Sequence, residues 1–315
     1  MSKPVVLLDM NNLAHRNYHG NNLATSTGQP TGLVFGCLNS VLHVKAQLNP
    51  AAFIAVWDTK HGSGWRKEMF PGYKAHREVT EHSADFYEQV NTLKPLLMSM
   101  GIPNVQSEHA EADDVIGYLA GKISAAGTDV VILSNDGDFY QLITMGDESE
   151  SHGEGTIRVF HPKNGLMGEK EVMQDPKYGV RPNQVASFKA LTGDSSDEYK
   201  GAPGIGPKTA QLFFLVNKTI DGLFTHPMSI NLTVVSPRQA ATILKHRDEI
   251  KLCYELAKIS PARGVVPCPR FPEKDLDYIE EEFKLLEFGS YLPNDEGRGG
   301  RLSEIQSMPE GCHLW

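Results

Sequence analysis

Glu111, Asp113, Asp114, Asp136 and Asp138 crowd one stretch of the chain, flanking an apolar helix pattern and an apolar strand pattern. Carboxylates that close repel one another unless a cation holds them, and an all-oxygen site suits a hard divalent ion. The plainer alternative is that the first three favour the positive end of a helix dipole and the others are solvated caps. Position favours metal ligation. Val130-Val131-Ile132-Leu133 has the continuous apolar character of a buried parallel strand. Asp136 and Asp138 follow its end, where ligands gather in open α/β sheets.

The elements that must position these acids are legible around them. Val115, Ile116, Leu119 and Ile123 predict a helix over about 110–125. Val5 to Leu8 reads as a strand ending in Asp9, although Asp9 alone reads equally as a helix N-cap. A helical pattern over 31–45 leads to a second apolar strand, 52–57, that ends in Asp58. Three strands ending in acid predict an acidic crater at one edge of a sheet.

From Thr59 to Arg77 the balance reverses. Lys60, Arg66, Lys67, Lys74 and Arg77 stand against Glu68 alone, with Trp65, Phe70 and Tyr73 interleaved. A solvated basic loop would look the same. Aromatics between phosphate-seeking cations are, however, what a single-strand-binding element requires, and the place after Asp58 sets this one over the crater. Residues 145–165 read as a surface loop running into a short strand at 157–160. From Arg181 the pattern is helical: 184–191, one or two helices within 237–260, and 278–292. Between them lie an acidic loop, Thr192-Gly-Asp-Ser-Ser-Asp197, and Gly204-Ile205-Gly206-Pro-Lys208-Thr209-Ala210. The second is a helix–hairpin–helix signature: glycines admit a phosphate to the backbone, amides at the next helix start point at it, and Lys208 adds charge. A glycine-rich stretch from Pro293 reads as a mobile tail.

Length and composition fit one large α/β domain and a smaller one. No run approaches a membrane span, and the chain enters a strand almost at once, which predicts no signal peptide. Four dispersed cysteines and twelve histidines without zinc-ligand spacing predict a reduced, cytoplasmic protein. A net charge of −9 weighs at first sight against a nucleic-acid partner.

Taken together the motifs resemble the 5′-nuclease family: the 5′→3′ exonuclease domain of bacterial DNA polymerase I and the stand-alone 5′ exonucleases and flap endonucleases of bacteria and phages. Carrying the resemblance are Leu-Leu-Asp9, Pro30-Thr-Gly32, the strand ending in Asp58, Tyr73-Lys-Ala-His-Arg77, Glu111-Ala-Asp-Asp114 and Asp136-Gly-Asp138. Tyr178-Gly-Val-Arg-Pro182, Asp194-Ser-Ser-Asp197, Gly204-Ile-Gly-Pro-Lys-Thr-Ala210 and Leu286-Glu-Phe-Gly289 continue it in order. It implies a PIN-like nuclease domain with a mostly parallel sheet over 1–180, a helical arch at about 59–90, a helix-hairpin-helix (helix-three-turn-helix) domain over 181–292, and a tail over 293–315. The chain stops where a polymerase would begin, which predicts a stand-alone enzyme.

The implied activity is metal-dependent hydrolysis of phosphodiesters at 5′ ends, nicks or flaps of DNA, extending to RNA primers in RNA–DNA hybrids, in replication and repair. A replicative polymerase or a single-strand-binding protein would be its partner. The resemblance also implies two or more Mg²⁺ ions, replaceable by Mn²⁺, and K⁺ at the hairpin. Asp9, Asp58, Glu111 and Asp113 would surround the first Mg²⁺ with Asp114 adjacent, and Asp136, Asp138, Asp194 and Asp197 the second. Tyr73, Lys74 and Arg77 would meet the scissile phosphate, with Arg66 and Lys67 as further DNA contacts. Gly204, Ile205, Gly206, Lys208 and Thr209 would hold duplex. Setting the nine acids aside leaves the rest of the chain formally neutral.

Spacing strains this partition. In a regular helix Glu111 and Asp114 share a face and Asp113 points elsewhere, so the helix must start irregularly or some ligands act through water. The family often has lysine where this chain has Gly137, and asparagine where it has Glu198. Both differences bear on the second metal. The rivals are a PIN-type ribonuclease acting on RNA alone and a catalytically weak DNA-end-binding protein.

Overall fold

The apolar runs condense into one sheet. The computed structural model describes residues 3–75, 84–146, 154–225, 230–293, 300–312 and 314. Strands β1 (Val5–Asp9), β2 (Ala52–Trp57), β3 (Asn104–Gln106), β4 (Val130–Leu133), β5 (Ile157–His161) and β6 (Gly165–Met167) lie in the order β3-β2-β1-β4-β5-β6. All neighbours are parallel except β5 and β6. β1, β2 and β4 are buried along their whole length, as a sheet covered on both faces demands.

Chain order reverses direction at β1, which pairs Val5 with Ala52 on one side and with Val130 on the other. That switch point opens a crevice at the carboxyl ends of β1, β2 and β4, where ligands of such sheets bind.

On one face pack α1 (Met10–Gly20), α2 (Gly32–Leu48), α4 (Ala84–Ser99) and α12 (Leu276–Leu285), sharing a core with Val6, Leu8, Phe53 and Leu133. On the other lies α5 (Ala112–Ala125), whose Val115, Ile116 and Leu119 share a core with Leu7, Ile54 and Ile132. That core runs on into the C-terminal helices α7 (Val185–Thr192), α8 (Pro207–Val216) and α11 (Arg247–Ala257). Shorter helices complete the chain: α3 (Gly64–Met69), α6 (Glu169–Met173), α9 (Asp221–Thr225), α10 (Pro237–Lys245) and α13 (Leu302–Gln306).

Two expectations change. The helix over 278–292 ends at Leu285, because Glu287 turns left-handed at φ 56° and its carboxylate accepts from the Ser26 amide and hydroxyl. The stretch expected to be mobile falls largely on 294–299, outside the described residues. The C-terminal segment beyond it is docked: Leu302, Ile305 and Met308 are buried in the α1/α2 core, and Lys45 donates to Ser307. A glycine-rich composition masked an apolar triplet at helical spacing. Among the described residues, no helix is long and apolar enough to cross a membrane.

Candidate active site

Asp9 ends β1 and caps α1, accepting from the Asn12 amide at 3.3 Å. Its other oxygen accepts from the buried Ser134 hydroxyl at 2.7 Å, so the two readings of Asp9 coexist in one side chain. Ser134 in turn accepts from the Asp136 amide, and Asp136 accepts from the Asp138 amide, which starts a 3₁₀ turn over Gly137–Leu142. Asp58 accepts from the Ala112 amide at 2.7 Å and thereby sets the first turn of α5 against the end of β2. The backbone ends of three strands and one helix are thus tied together through carboxylates.

The irregular helix start is present. Glu111 is the extended N-cap (φ −70°, ψ 159°), and α5 begins only at Ala112. Asp113 then faces a cavity of about 870 Å³ that is also lined by Asp9, Asp58, Lys74, Asp136, Asp138 and Asp197. Asp114 does not join them. It is fully buried and paired with Arg66 through both oxygens at 2.9 Å.

Arg16 and Lys74 line the cavity, and Lys189 pairs with its acids from outside the lining. Lys74 is left-handed (φ 52°), and its Nζ lies 2.6 Å from Glu111 Oε1 and 3.8 Å from Asp197. Lys189, on the buried helix α7, bonds Asp138 and lies 2.5 Å from Asp194. Carboxylate oxygens of Asp138, Asp194 and Asp197 come within 4.8 Å of one another. That spacing and an all-oxygen donor set fit a divalent ion.

Sequence reasoning missed Lys189. A lone lysine among Val185, Ala186, Phe188, Ala190 and Leu191, just before an acidic loop, was the available signal, since lysine is rarely buried unpaired. A side chain at Gly137 would require the Tyr178 ring to shift. A Cβ would fall 2.4 Å from the Tyr178 hydroxyl.

Protonation follows the geometry. Burial, then the neighbours Asp136 and Asp58, push Asp9 up to about 7 against the opposing Ser134 hydrogen bond. Burial and then Asp9 raise Asp113 well above the usual carboxylate range. Glu111 and Asp194 go the other way: burial opposes their charge, but Lys74 and Arg66 outweigh it at Glu111, and Lys189 holds Asp194 at about 2.

The sign for Asp9 is definite. Its folded value lies above its unfolded one, so between about pH 4 and pH 7 the folded chain holds a proton that the unfolded chain lacks, and its contribution to stability falls as pH rises. A divalent ion displaces that proton. The rise in melting temperature on adding Mn²⁺ should therefore grow from about pH 5.5 to about pH 8. An increment independent of pH in a thermal-melt series would take Asp9 and Asp113 out of the metal reading.

The basic stretch is largely turned inward. Arg66 is 3% exposed and ion-paired, so its assignment as a DNA contact does not stand. Tyr73 is 2% exposed with its hydroxyl donating to Glu111, and the Trp65 indole donates to Asp114. Tyr73 is too buried to stack a base, and the Trp65 ring is already covered by Arg66 and Arg263. Lys67 is half-buried, and Arg77 lies outside the described residues, as does part of the expected arch. Lys74 sits in a turn rather than a helix.

At the hairpin, Gly204 is left-handed (φ 76°), Ile205 is buried, and Gly206 caps α8 with Pro207 in its first turn. Lys208 is exposed, whereas Thr209 accepts from Gln239. Two glycines, the start of the ten-residue helix α8 and an exposed lysine make an edge that could accept an anion.

Comparison with known proteins finds matches to both halves of the chain. Residues 4–177 match the 5′-3′ exonuclease N-terminal resolvase-like domain, and residues 180–269 match the 5′-3′ exonuclease C-terminal SAM fold. The thermostable DNA polymerase I of Thermus aquaticus is 35% identical over 91% of this chain and 32% of its own length. The chain thus spans about a third of such polymerases. A 5′-3′ exonuclease of Buchnera aphidicola is 31% identical over 82% of this chain and 87% of its own. A bacteriophage T5 flap endonuclease, solved in a pseudo-enzyme–product complex with DNA and metal ions, shares the fold: TM-score 0.64, 16% identity, covering 90% of this chain and 98% of its own. With both halves matched in order and a relative of similar length aligned along most of it, the chain belongs to the 5′-3′ exonuclease family.

Proposed function

We propose that the crater is the hydrolytic centre of a structure-specific 5′ nuclease, cutting DNA at 5′ ends, nicks and flaps beside duplex with the help of Mg²⁺ or Mn²⁺. The observation that carries this reading is the convergence of Asp9, Asp58, Asp113, Asp136, Asp138 and Asp197 with Lys74 in one cavity at the switch point of the sheet. Six acids gathered there repel phosphate and one another, which serves no purpose in a protein that only binds DNA. Asp9, Asp58, Glu111 and Asp113 would hold one ion and Asp136, Asp138, Asp194 and Asp197 the other. Carboxylate ligands favour Mg²⁺ or Mn²⁺ over zinc. Such ions acidify a bound water and stabilise the leaving oxygen.

The chain's own part is to orient and to stabilise charge. Ser134 and the Ala112 amide aim Asp9 and Asp58. Lys74, held by Glu111 at the cavity wall, offers a cation to the negative charge that develops on the phosphate. Lys189 compensates Asp138 and Asp194 from behind. The hairpin at Gly204–Lys208 would grip duplex phosphates away from the cut. Action on RNA primers in hybrids, and work beside a polymerase or a single-strand-binding protein, belong to the same reading and would follow from its family.

The hairpin role makes its own prediction. Lys208→Ala should weaken binding to every duplex sequence alike and reduce the salt slope by about one counterion. Sequence-dependent losses would indicate base readout instead.

The proposal as a whole is tested with a 5′-labelled double-flap substrate whose products are sized after incubation in Mg²⁺ and in chelator. Release of the flap, or of mononucleotides, in Mg²⁺ alone is expected, and the product size separates endonuclease from exonuclease action. Duplex binding with no cleavage in any divalent ion would leave an end-binding protein and overturn the nuclease reading.

A further inference from the structure

Arg66 and Asp114, both assigned from sequence to ligand contacts, do something else. All five N–H donors of Arg66 are engaged inside the protein. Nε donates to the Leu256 carbonyl at 3.2 Å, Nη1 to Glu111 at 2.5 Å and Asp114 at 2.9 Å, and Nη2 to Asp114 at 2.9 Å and the Lys258 carbonyl at 2.8 Å. Asp114 also accepts from the Ser260 amide at 2.8 Å and from the Trp65 indole at 3.3 Å. Trp65 itself lies between two guanidinium groups, Arg66 at 4.2 Å and Arg263 at 4.7 Å.

Two parts of the chain meet in this knot. Glu111 and Asp114 belong to the start of α5, beside the crater, whereas Leu256, Lys258, Ser260 and Arg263 belong to the end of α11 and the segment after it. Helix α11 packs against α7, which carries Lys189 and leads into the Asp194–Asp197 loop and the hairpin.

We infer that Arg66 and Asp114 are positioning residues: their forked ion pair fixes the Glu111 carboxylate behind Lys74 of the crater wall and locks the start of α5 to the helices that carry the proposed duplex-binding hairpin. Glu111 is pinned from three sides, by Arg66, by the Tyr73 hydroxyl at 3.1 Å and by Lys74 at 2.6 Å. Arg66 also donates to the Leu256 and Lys258 carbonyls, and Asp114 accepts from Ser260, so the pair reaches across to the C-terminal segment. Lysine cannot replace Arg66, because one ammonium cannot serve two carboxylates and two carbonyls in a plane. The inference rests on the nuclease reading above.

Arg66→Lys keeps the charge and removes the fork. In the DNA-free protein, Mn²⁺ affinity measured by electron paramagnetic resonance should weaken about tenfold, and single-turnover hydrolysis at saturating enzyme should slow about 10²-fold, the range typical of groups that orient metal ligands. The Kd for duplex in Ca²⁺ and its salt slope should stay within about twofold of wild type, since no phosphate contact is lost. Asp114→Asn preserves shape, keeps the protein testable if Arg66→Lys does not fold, and should act in the same direction. The double variant should be no slower than the worse single one, because the pair works as a unit.

Near wild-type Mn²⁺ affinity and rate in the folded variants would overturn the inference. So would a raised duplex Kd with a shallower salt slope in Arg66→Lys, which would make Arg66 a phosphate contact. Lost Mn²⁺ binding in Asp114→Asn alone would make Asp114 a ligand and overturn it too. A wild-type protein that neither binds Mn²⁺ nor cleaves DNA would sink the nuclease reading itself, a distinguishable result.

Discussion

Replacing Lys74 by alanine is expected to slow single-turnover cleavage at saturating enzyme by about 10²-fold or more, the loss typical of one preorganised donor to a developing charge. Its Nζ lines the same cavity as the crater acids, held there by Glu111 at 2.6 Å and facing Asp197 at 3.8 Å. Burial opposes the charge on Lys74, but Glu111 and its neighbours raise its pKa well above the ordinary lysine range, so it stays cationic at any working pH. A fixed cation at a cavity wall acts on the transition state more than on the bound substrate. The Kd in Ca²⁺ should therefore move little while the rate falls, on nicked and double-flap substrates alike. Rapid-quench measurement checks this. A defect repaired by raising enzyme concentration would reduce Lys74 to a docking residue.

The larger effect is expected at Asp113. Asp113→Asn should abolish cleavage in Mg²⁺ and in Mn²⁺ while leaving duplex binding intact in chelator. The reason is its placement: one residue from Asp114, but facing the cavity where Asp114 faces Arg66. Burial and then Asp9 raise its pKa well above the usual carboxylate range, and a bound cation would favour its charged form. The contrast between adjacent residues is itself a test. Asp113→Asn should remove activity, and Asp114→Asn should only slow it. Equal losses at the two positions, measured side by side under single turnover, would break the division between ligand and anchor.

Much of this site could be read from the chain because its logic is local. A continuous apolar run followed directly by an acid predicts a buried strand that delivers a carboxylate to the sheet edge, and β1, β2 and β4 all do so with Asp9, Asp58 and Asp136. The glycines and lysine of the hairpin were legible for the same reason, since a left-handed turn and a helix start depend on neighbouring residues only. What could not be read depends on distant partners. A basic, aromatic-rich segment can satisfy its charge with phosphate or with a buried carboxylate, and composition is the same in both cases. Arg66 and Tyr73 took Glu111 and Asp114, residues about forty positions away. Lys189 was hidden for a related reason, because its partners Asp138 and Asp194 lie on different elements and only the fold brings all three together. The docked segment at Leu302–Met308 was obscured by the glycines before it.

If the crater acids hold the divalent ions that do the chemistry, anomalous diffraction from crystals soaked in Mn²⁺ shows it most directly. Mn²⁺ peaks are expected within coordination distance of Asp9 and Asp113 and of the Asp138–Asp194–Asp197 cluster, and none at Asp114. Peaks confined to surface carboxylates, with the crater empty at Mn²⁺ concentrations that support cleavage, would contradict that role for the crater.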